Sequence, residues 1–171
     1  MQLDLTRYRQ PTSHFARTFR AEEVADAGDD YQIVEPVQVD LEIHKDHARV
    51  RMVGTVRTTL EVTCSRCLEP FRVPFDGSFD LRYAPATELG ADGDNELAED
   101  DLDTSVYRDD QIDLSEMLRE QFYLALPMKP LCRDECRGLC PSCGTNRNTG
   151  ACTCAPAWED PRLAPLKELK P

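Results

Sequence analysis

Six cysteines fall within residues 131–154, and no other feature of the sequence restricts the fold as strongly. Cys140 and Cys143 are separated by two residues and followed by Gly144, so the backbone can turn tightly and direct both sulfurs at one ion. The segment has only two large apolar residues, Leu131 and Leu139, which are too few to form a core. Metal binding must therefore supply much of its folding energy, and a closed shell of four thiolates is typical of structural zinc.

Each zinc ion needs four of these six cysteines, and the sequence leaves the choice of four open. The candidate ligands are Cys132, Cys136, Cys140, Cys143, Cys152 and Cys154. Disulfides and an iron–sulfur or redox dithiol site are the competing interpretations. Disulfides require an oxidising compartment, and residues 1–20 are polar and basic rather than an apolar signal stretch.

The remaining two cysteines, Cys64 and Cys67, lie in a predicted turn with the same two-residue spacing. They are a possible second metal site, which would place all eight cysteines in two shells of four. The alternative is a pair of reduced thiols held for packing or turn shape.

Alternating apolar residues predict three antiparallel strands with one buried face, over residues 37–43, 48–62 and 71–83. A helix is predicted to begin after Asp113, which forms a capping box with Glu116, and to end before Pro127. The predicted fold class is α+β: an antiparallel β-meander with a covering helix and a small, cysteine-rich, zinc-stapled C-terminal hook.

Three regions follow from these elements. Residues 1–30 are predicted to form one short strand and a mobile segment that is first basic and then acidic. Residues 31–126 contain the sheet and helix, and within them residues 86–110 carry ten acidic residues against one arginine, which predicts a flexible insertion. Residues 127–171 form the metal hook and a tail in which Trp158 and a short helix are expected to pack back.

The net charge of −12 is unfavourable for nucleic acid as a whole, but the excess acid lies in the middle of the chain. Arginines alternate along the outward face of the second strand and continue beyond it. The candidate phosphate-binding residues are Arg49, Arg51, Arg57, Arg66 and Arg72. The alternative is that they serve only the solubility of an exposed strand face.

The sequence has no phosphate-binding glycine loop, serine elbow or His-Glu-x-x-His motif. We therefore predict that the protein is not an enzyme and has no small-molecule substrate. No apolar run approaches the length of a membrane span, which predicts a soluble, cytoplasmic protein without a membrane partner.

Several segments, in order along nearly the whole chain, together resemble the YceD family of large ribosomal RNA subunit accumulation proteins. They are Cys64-Ser65-Arg66-Cys67-Leu68-Glu69-Pro70-Phe71, Ile112-Asp113-Leu114 with Glu120, Leu124-Ala125-Leu126-Pro127, Pro130-Leu131-Cys132, Gly138-Leu139-Cys140-Pro141, Cys143-Gly144 with Asn146 and Asn148, Asp160-Pro161-Arg162, and Leu166.

The resemblance implies a bacterial or plastid protein that supports accumulation of large-subunit ribosomal RNA, through its processing or its stability. Some members of the family keep only the first cysteine pair, which implies that the C-terminal cysteines stabilise or bind rather than catalyse. The expected function is a non-enzymatic ribosome-biogenesis factor that acts on precursor ribosomal RNA or on an assembly protein. The alternative is a protein-interaction module that recruits a processing or assembly partner without touching RNA. A thiol oxidoreductase is a third interpretation.

Overall fold

The structure is a computed structural model that describes residues 1–25, 28, 30–88 and 103–154. Eight strands and two α-helices follow one another along the described chain, with a short 3-10 helix at Leu5–Arg7. The elements are β1 (Gln2–Asp4), β2 (Thr12–Phe19), α1 (Ala21–Val24), β3 (Tyr31–Ile33), β4 (Val37–Asp46), β5 (Arg49–Thr63), β6 (Pro70–Pro85), β7 (Thr104–Tyr107), β8 (Gln111–Asp113) and α2 (Leu114–Ala125).

Most of the strands form one six-stranded sheet in the order β2-β4-β5-β6-β7, with β3 paired to β5 beside this path. The pairs β2–β4, β4–β5 and β3–β5 are antiparallel, whereas β6 and β7 run parallel. Strands β1 and β8 form a separate antiparallel pair. The sheet is therefore mixed rather than the purely antiparallel meander that the sequence predicted.

The predicted alternation along the central strands is confirmed. In β4 the four buried residues Val37, Val39, Leu41 and Ile43 are each at most 3% exposed, while the residues between them face solvent. In β5 the same pattern buries Val50, Met52, Val56 and Leu60. Burying one face of each strand fixes the register, because a slip by one residue would expose the apolar set.

Helix α2 begins where the capping signal predicts. The Asp113 carboxylate accepts hydrogen bonds from the backbone N–H groups of Ser115, at 2.9 Å, and Glu116, at 3.2 Å. The buried side chains of α2 belong to the same hydrophobic cluster as those of the strands. Among them, the Phe122 ring lies edge-on to Phe75, with 5.0 Å between the ring centroids, and to Tyr31, at 5.7 Å.

Two segments differ from the predictions. Where the sequence predicted a mobile loop after one short strand, the structure has the eight-residue strand β2 and the one-turn helix α1. Part of the predicted acidic insertion, residues 104–107, forms β7 because its backbone pairs with the end of β6. Residues 89–102 of that insertion and the predicted helical tail with Trp158 lie outside the described residues.

The chain divides into two compact units. The first comprises residues 1–62 and 71–128, and the second comprises residues 63–70 together with the chain from residue 129 onward. The second unit, which we call the cysteine-rich unit, is thus built from the turn between β5 and β6 and from the cysteine-rich segment. Among the described residues, no helix has the length and apolar character that crossing a bilayer requires.

The cap at Asp113 yields a stability prediction with a defined pH dependence. Burial opposes ionisation, but the hydrogen bonds from Ser115 and Glu116 outweigh it, so the pKa of Asp113 lies below its ordinary value. An Asp113→Ala variant should lose about 1 kcal/mol of unfolding free energy at neutral pH, measured by urea titration. Because the folded-state pKa is lowered, this difference should shrink as the pH falls below about 4, where the wild-type carboxylate becomes protonated.

Asp113→Asn is the matched control, since its amide oxygen still accepts the backbone bonds but does not titrate. It should retain most of the stability at neutral pH. The difference in unfolding free energy between the Asn and Ala variants should not change with pH, since neither side chain titrates. Equal losses for the two variants would contradict the role of the backbone hydrogen bonds, because the Asn variant keeps them.

Candidate metal centres

The turn between β5 and β6 presents the first pair of sulfurs. Within it the Cys64 N–H donates to the carbonyl of Glu69 at 3.0 Å, and the Leu68 N–H donates to the carbonyl of Cys64 at 3.0 Å. Leu68 adopts a left-handed conformation, with φ of 60°, which turns the chain back toward β6. Cys64 and Cys67 are both buried, at 0% and 3% exposure.

Residues 130–136 of the cysteine-rich segment complete this site. The Ser65 N–H donates to the carbonyl of Pro130 at 2.8 Å and anchors the start of the segment. Cys132 then lies with its sulfur 3.7 Å from that of Cys67, and the sulfur of Cys136 lies 3.7 Å from that of Cys64. These four residues form the first cluster: Cys64, Cys67, Cys132 and Cys136.

Contacts with the backbone and side chain of Arg66 hold the segment in place from Cys136 to Leu139. The Leu139 N–H donates to the Arg66 carbonyl at 3.1 Å, and the Arg66 guanidinium donates to the carbonyl of Cys136 at 3.0 Å. Gly138 makes this approach possible: its φ is +67°, and a Cβ atom there would lie 2.9 Å from the Arg66 carbonyl oxygen.

The second cluster is formed by the rest of the segment: Cys140, Cys143, Cys152 and Cys154. The Gly144 N–H donates to the Cys140 carbonyl at 2.9 Å, and the Cys140 N–H donates to the Thr145 carbonyl at 2.9 Å. Gly144 has a φ of +72°, so the tight turn expected after Cys143 is present. The Thr145 hydroxyl lies 3.2 Å from the Cys143 sulfur.

The geometry of both clusters fits a tetrahedral metal ion. In each cluster the four sulfurs lie within 4.8 Å of one another. A tetrahedral ion with bonds of about 2.3 Å to sulfur places its ligands about 3.8 Å apart, close to the 3.7 Å separations in the first cluster. A disulfide would need sulfurs about 2.05 Å apart, and all eight cysteines in the structure are free thiols.

The electrostatics of the first cluster favour ionisation of some sulfurs and oppose it at others. Burial disfavours the Cys64 thiolate, but N–H groups of Cys132, Cys67 and Arg66 lower the pKa of Cys64 to about 6. Burial and the neighbouring sulfur of Cys67 raise the pKa of Cys132 to about 12.

The second cluster likewise contains one sulfur with a strongly lowered pKa and one with a strongly raised pKa. Hydrogen bonds from the Thr145 hydroxyl and N–H group lower the pKa of Cys143 to about 6, while the sulfurs of Cys143 and Cys140 raise the pKa of Cys154 to about 12. A bound divalent ion would displace the remaining protons from either cluster, so acidification should weaken its binding.

The two clusters differ in exposure. In the first, Cys64, Cys67 and Cys136 are buried and Cys132 is partly exposed. In the second, only Cys140 is buried, whereas Cys143 and Cys154 are exposed. Solvent, chelators and oxidants therefore reach the second cluster more readily.

The structure divides the eight sulfurs into two groups, a division that the sequence left open. Cys132 and Cys136 join Cys64 and Cys67 rather than the other cysteines of the segment. Sequence reasoning gave no role to Asn148, whose amide nitrogen donates to the Cys136 sulfur at 3.3 Å. Spacing alone could not reveal this bond, because it depends on how residues 144–150 return to the first cluster.

The five arginines predicted to bind phosphate lie on exposed positions, and each has a partner in the structure. Arg51 donates to both carboxylate oxygens of Asp80 at 2.7 and 2.5 Å, and Arg57 contacts both oxygens of Asp76 at 3.1 Å. The remaining pairs are Arg49 with Glu88 at 2.7 Å, Arg72 with Glu61 at 3.7 Å, and Arg66 with the backbone carbonyls already described. Their contact with RNA stays a prediction.

The fold and the clusters define a mixed β-sheet protein with a cysteine-rich unit that could hold two metal ions. The chain belongs to the YceD family, because the family description "Large ribosomal RNA subunit accumulation protein YceD" matches residues 52–170. This confirms the resemblance inferred from the sequence.

Individual relatives agree with this assignment. The chain is similar to the maize protein "Large ribosomal RNA subunit accumulation protein YCED homolog 1, chloroplastic", with 32% identity over 77% of this chain and 53% of that protein. Its Arabidopsis thaliana namesake is 29% identical over 82% of this chain and 50% of the relative, so the chain spans about half the length of these curated relatives. The uncharacterized protein YlbN of Bacillus subtilis is 27% identical over 91% of this chain and 86% of its own length. No solved structure matches the chain.

The cluster assignment predicts the metal content of the protein. Protein purified without chelator should contain two metal ions per chain by elemental analysis, because each group of four sulfurs can saturate one tetrahedral ion. A Cys64→Ser/Cys67→Ser variant should retain one, since the second cluster has its own four ligands.

Replacing Ser65 and Ser142 by alanine gives a control with the same number of substitutions in the two turns and all eight sulfurs intact. That control should keep both ions. One ion in the wild-type protein, unchanged in the Cys64→Ser/Cys67→Ser variant, would contradict the first site.

Proposed function

We propose that the protein is a non-enzymatic, cytoplasmic ribosome-biogenesis factor that supports accumulation of large-subunit ribosomal RNA through its processing or stability. The observation that carries this proposal is membership of the YceD family, whose description names accumulation of the large ribosomal RNA subunit. The names of the maize and Arabidopsis relatives carry the same words. Its partner is the precursor of that RNA or a protein of ribosome assembly.

In this proposal two zinc ions staple the cysteine-rich unit and α2 covers the apolar face of the sheet. Four thiolates complete the coordination of a zinc ion and leave no open position for a substrate or water, which supports a structural role. Zinc also suits all-sulfur ligand sets because it is borderline-soft and has no redox chemistry. The metal would hold the unit in the shape that the partner recognises.

One observation favours the second candidate, a protein-interaction module that does not touch RNA. Arg51 and Arg57 are already engaged by Asp80 and Asp76, and the chain carries a net charge of −12. Phosphate would have to displace these carboxylates, and the overall charge gives no long-range attraction toward RNA.

The biological role can be tested in cells depleted of the protein. We expect the ratio of large-subunit to small-subunit ribosomal RNA to fall and to recover when the wild-type protein is restored. A Cys67→Ser/Cys143→Ser variant, which disrupts both clusters, should restore it poorly, whereas the Ser65→Ala/Ser142→Ala control should restore it fully. An unchanged ratio after depletion would refute the proposed role.

The two candidate functions can be separated by replacing first the arginines and then the carboxylates of the Arg51–Asp80 and Arg57–Asp76 pairs. If the arginines bind phosphate, Arg51→Ala/Arg57→Ala should weaken binding to large-subunit ribosomal RNA. The slope of the logarithm of the binding constant against the logarithm of the salt concentration should also become shallower, by about one unit per lost contact. Asp76→Asn/Asp80→Asn should strengthen binding, because it frees the same guanidinium groups. The measurement is RNA affinity at several salt concentrations, and no change in either variant would favour the protein-interaction module.

A further inference from the structure

The side chain of Asn148 belongs to the loop of the second cluster but bonds to a sulfur of the first. Its amide nitrogen donates to the Cys136 sulfur at 3.3 Å and to the side-chain oxygen of Asn146 at 2.9 Å. Its amide oxygen accepts the backbone N–H of Arg137 at 2.9 Å. Both donors and the acceptor are thus engaged, and this arrangement fixes the orientation of the amide.

The surrounding loop lies along the short linker that joins the two clusters. The Arg147 N–H donates to the Gly138 carbonyl at 2.9 Å, and Leu139 and Asn146 form an isolated antiparallel bridge. The Asn146 amide also donates to the Glu69 carboxylate in the first turn at 3.3 Å. Through these bonds the position of the loop is tied to the first cluster at several points.

The ends of the same loop are ligands of the second cluster. Residues 144–151 lie between Cys143 and Cys152, so an ion bound there would close the loop at both ends. Ordering a free loop of this length costs conformational entropy, which the ion would offset before Asn148 makes its bond. A donor already in place stabilises a thiolate ligand more than one that must first be ordered.

We propose that Asn148 is a positioning residue that couples the two metal sites, so that an ion in the second cluster strengthens binding in the first. The inference rests on the proposed occupancy of both clusters by zinc. Since binding free energies are linked, an ion in the first cluster strengthens binding in the second by the same factor.

The test is a titration of the purified protein with zinc against a competing chelator, repeated with cobalt, whose absorption reports sulfur ligation. The Cys64→Ser/Cys67→Ser and Cys140→Ser/Cys143→Ser variants identify which transition belongs to which cluster. Emptying the second cluster with Cys140→Ser/Cys143→Ser should weaken zinc binding in the first by about 10- to 100-fold. Asn148→Leu in an otherwise wild-type chain should weaken the first cluster by a similar factor and leave two ions bound at saturation.

The combined variant decides whether Asn148 carries the coupling. Adding Asn148→Leu to Cys140→Ser/Cys143→Ser should have little further effect, because the amide is no longer positioned. Asn148→Asp, which keeps the acceptor for Arg137 but places a carboxylate against the sulfur, should weaken the first cluster more than Asn148→Leu. Arg147→Lys is the matched control on the same loop, since this exposed side chain makes no described contact, and it should leave both affinities unchanged.

The proposal would be overturned if the first cluster bound zinc with the same affinity in the wild-type protein and in the Cys140→Ser/Cys143→Ser variant. It would also be overturned if Asn148→Leu weakened zinc binding in the first cluster equally in the wild-type protein and in the Cys140→Ser/Cys143→Ser variant. Asn148 would then act independently of the second ion. Failure of the wild-type protein to bind any metal would refute the zinc function itself. Two ions bound with independent affinities would refute only the coupling.

Discussion

Repulsion among the cysteine sulfurs is the constraint on which the cysteine-rich unit depends. Four sulfurs within 4.8 Å of one another cannot all be thiolates unless a cation lies among them, and the opposing pKa shifts of Cys64 and Cys132 express this conflict. The part of the unit that the structure describes has no other interior. Among its described residues the buried ones are four cysteines and Gly138, so the ligands are themselves the core.

The sequence predicted the parts of the structure that local physics determines. Alternation located β4 and β5 because one face of each strand is buried, and the Asp113 cap located the start of α2 because it satisfies free N–H groups there. The turns at Cys64 and Cys140 were also recognisable, since two-residue spacing followed by a tight turn is a local feature.

The missed features depend on distant parts of the chain. Strand β2 contains few large apolar residues and several polar ones, and it is ordered by its eight-residue pairing with β4 rather than by its own pattern. Strand β7 lies in an acidic segment and is held by the parallel pairing with β6. Likewise, the partners of Cys132 and Cys136 could not be read from spacing, because the anchoring bond from Ser65 to Pro130 joins residues far apart in sequence.

Metal binding would also change the charge that the cysteine-rich unit presents to a partner. Its described residues include five lysines and arginines and three aspartates and glutamates, a slight positive excess. Four thiolates around a divalent ion carry a formal charge of −2, so two filled clusters would make this part of the chain negative. The arginines of the unit would partly offset this charge, and the Arg66 guanidinium is held beside the first cluster by its bond to the Cys136 carbonyl. Recognition of RNA by this unit would therefore have to come from short-range contacts rather than from its net charge, whereas a basic segment of an assembly protein would be attracted at long range.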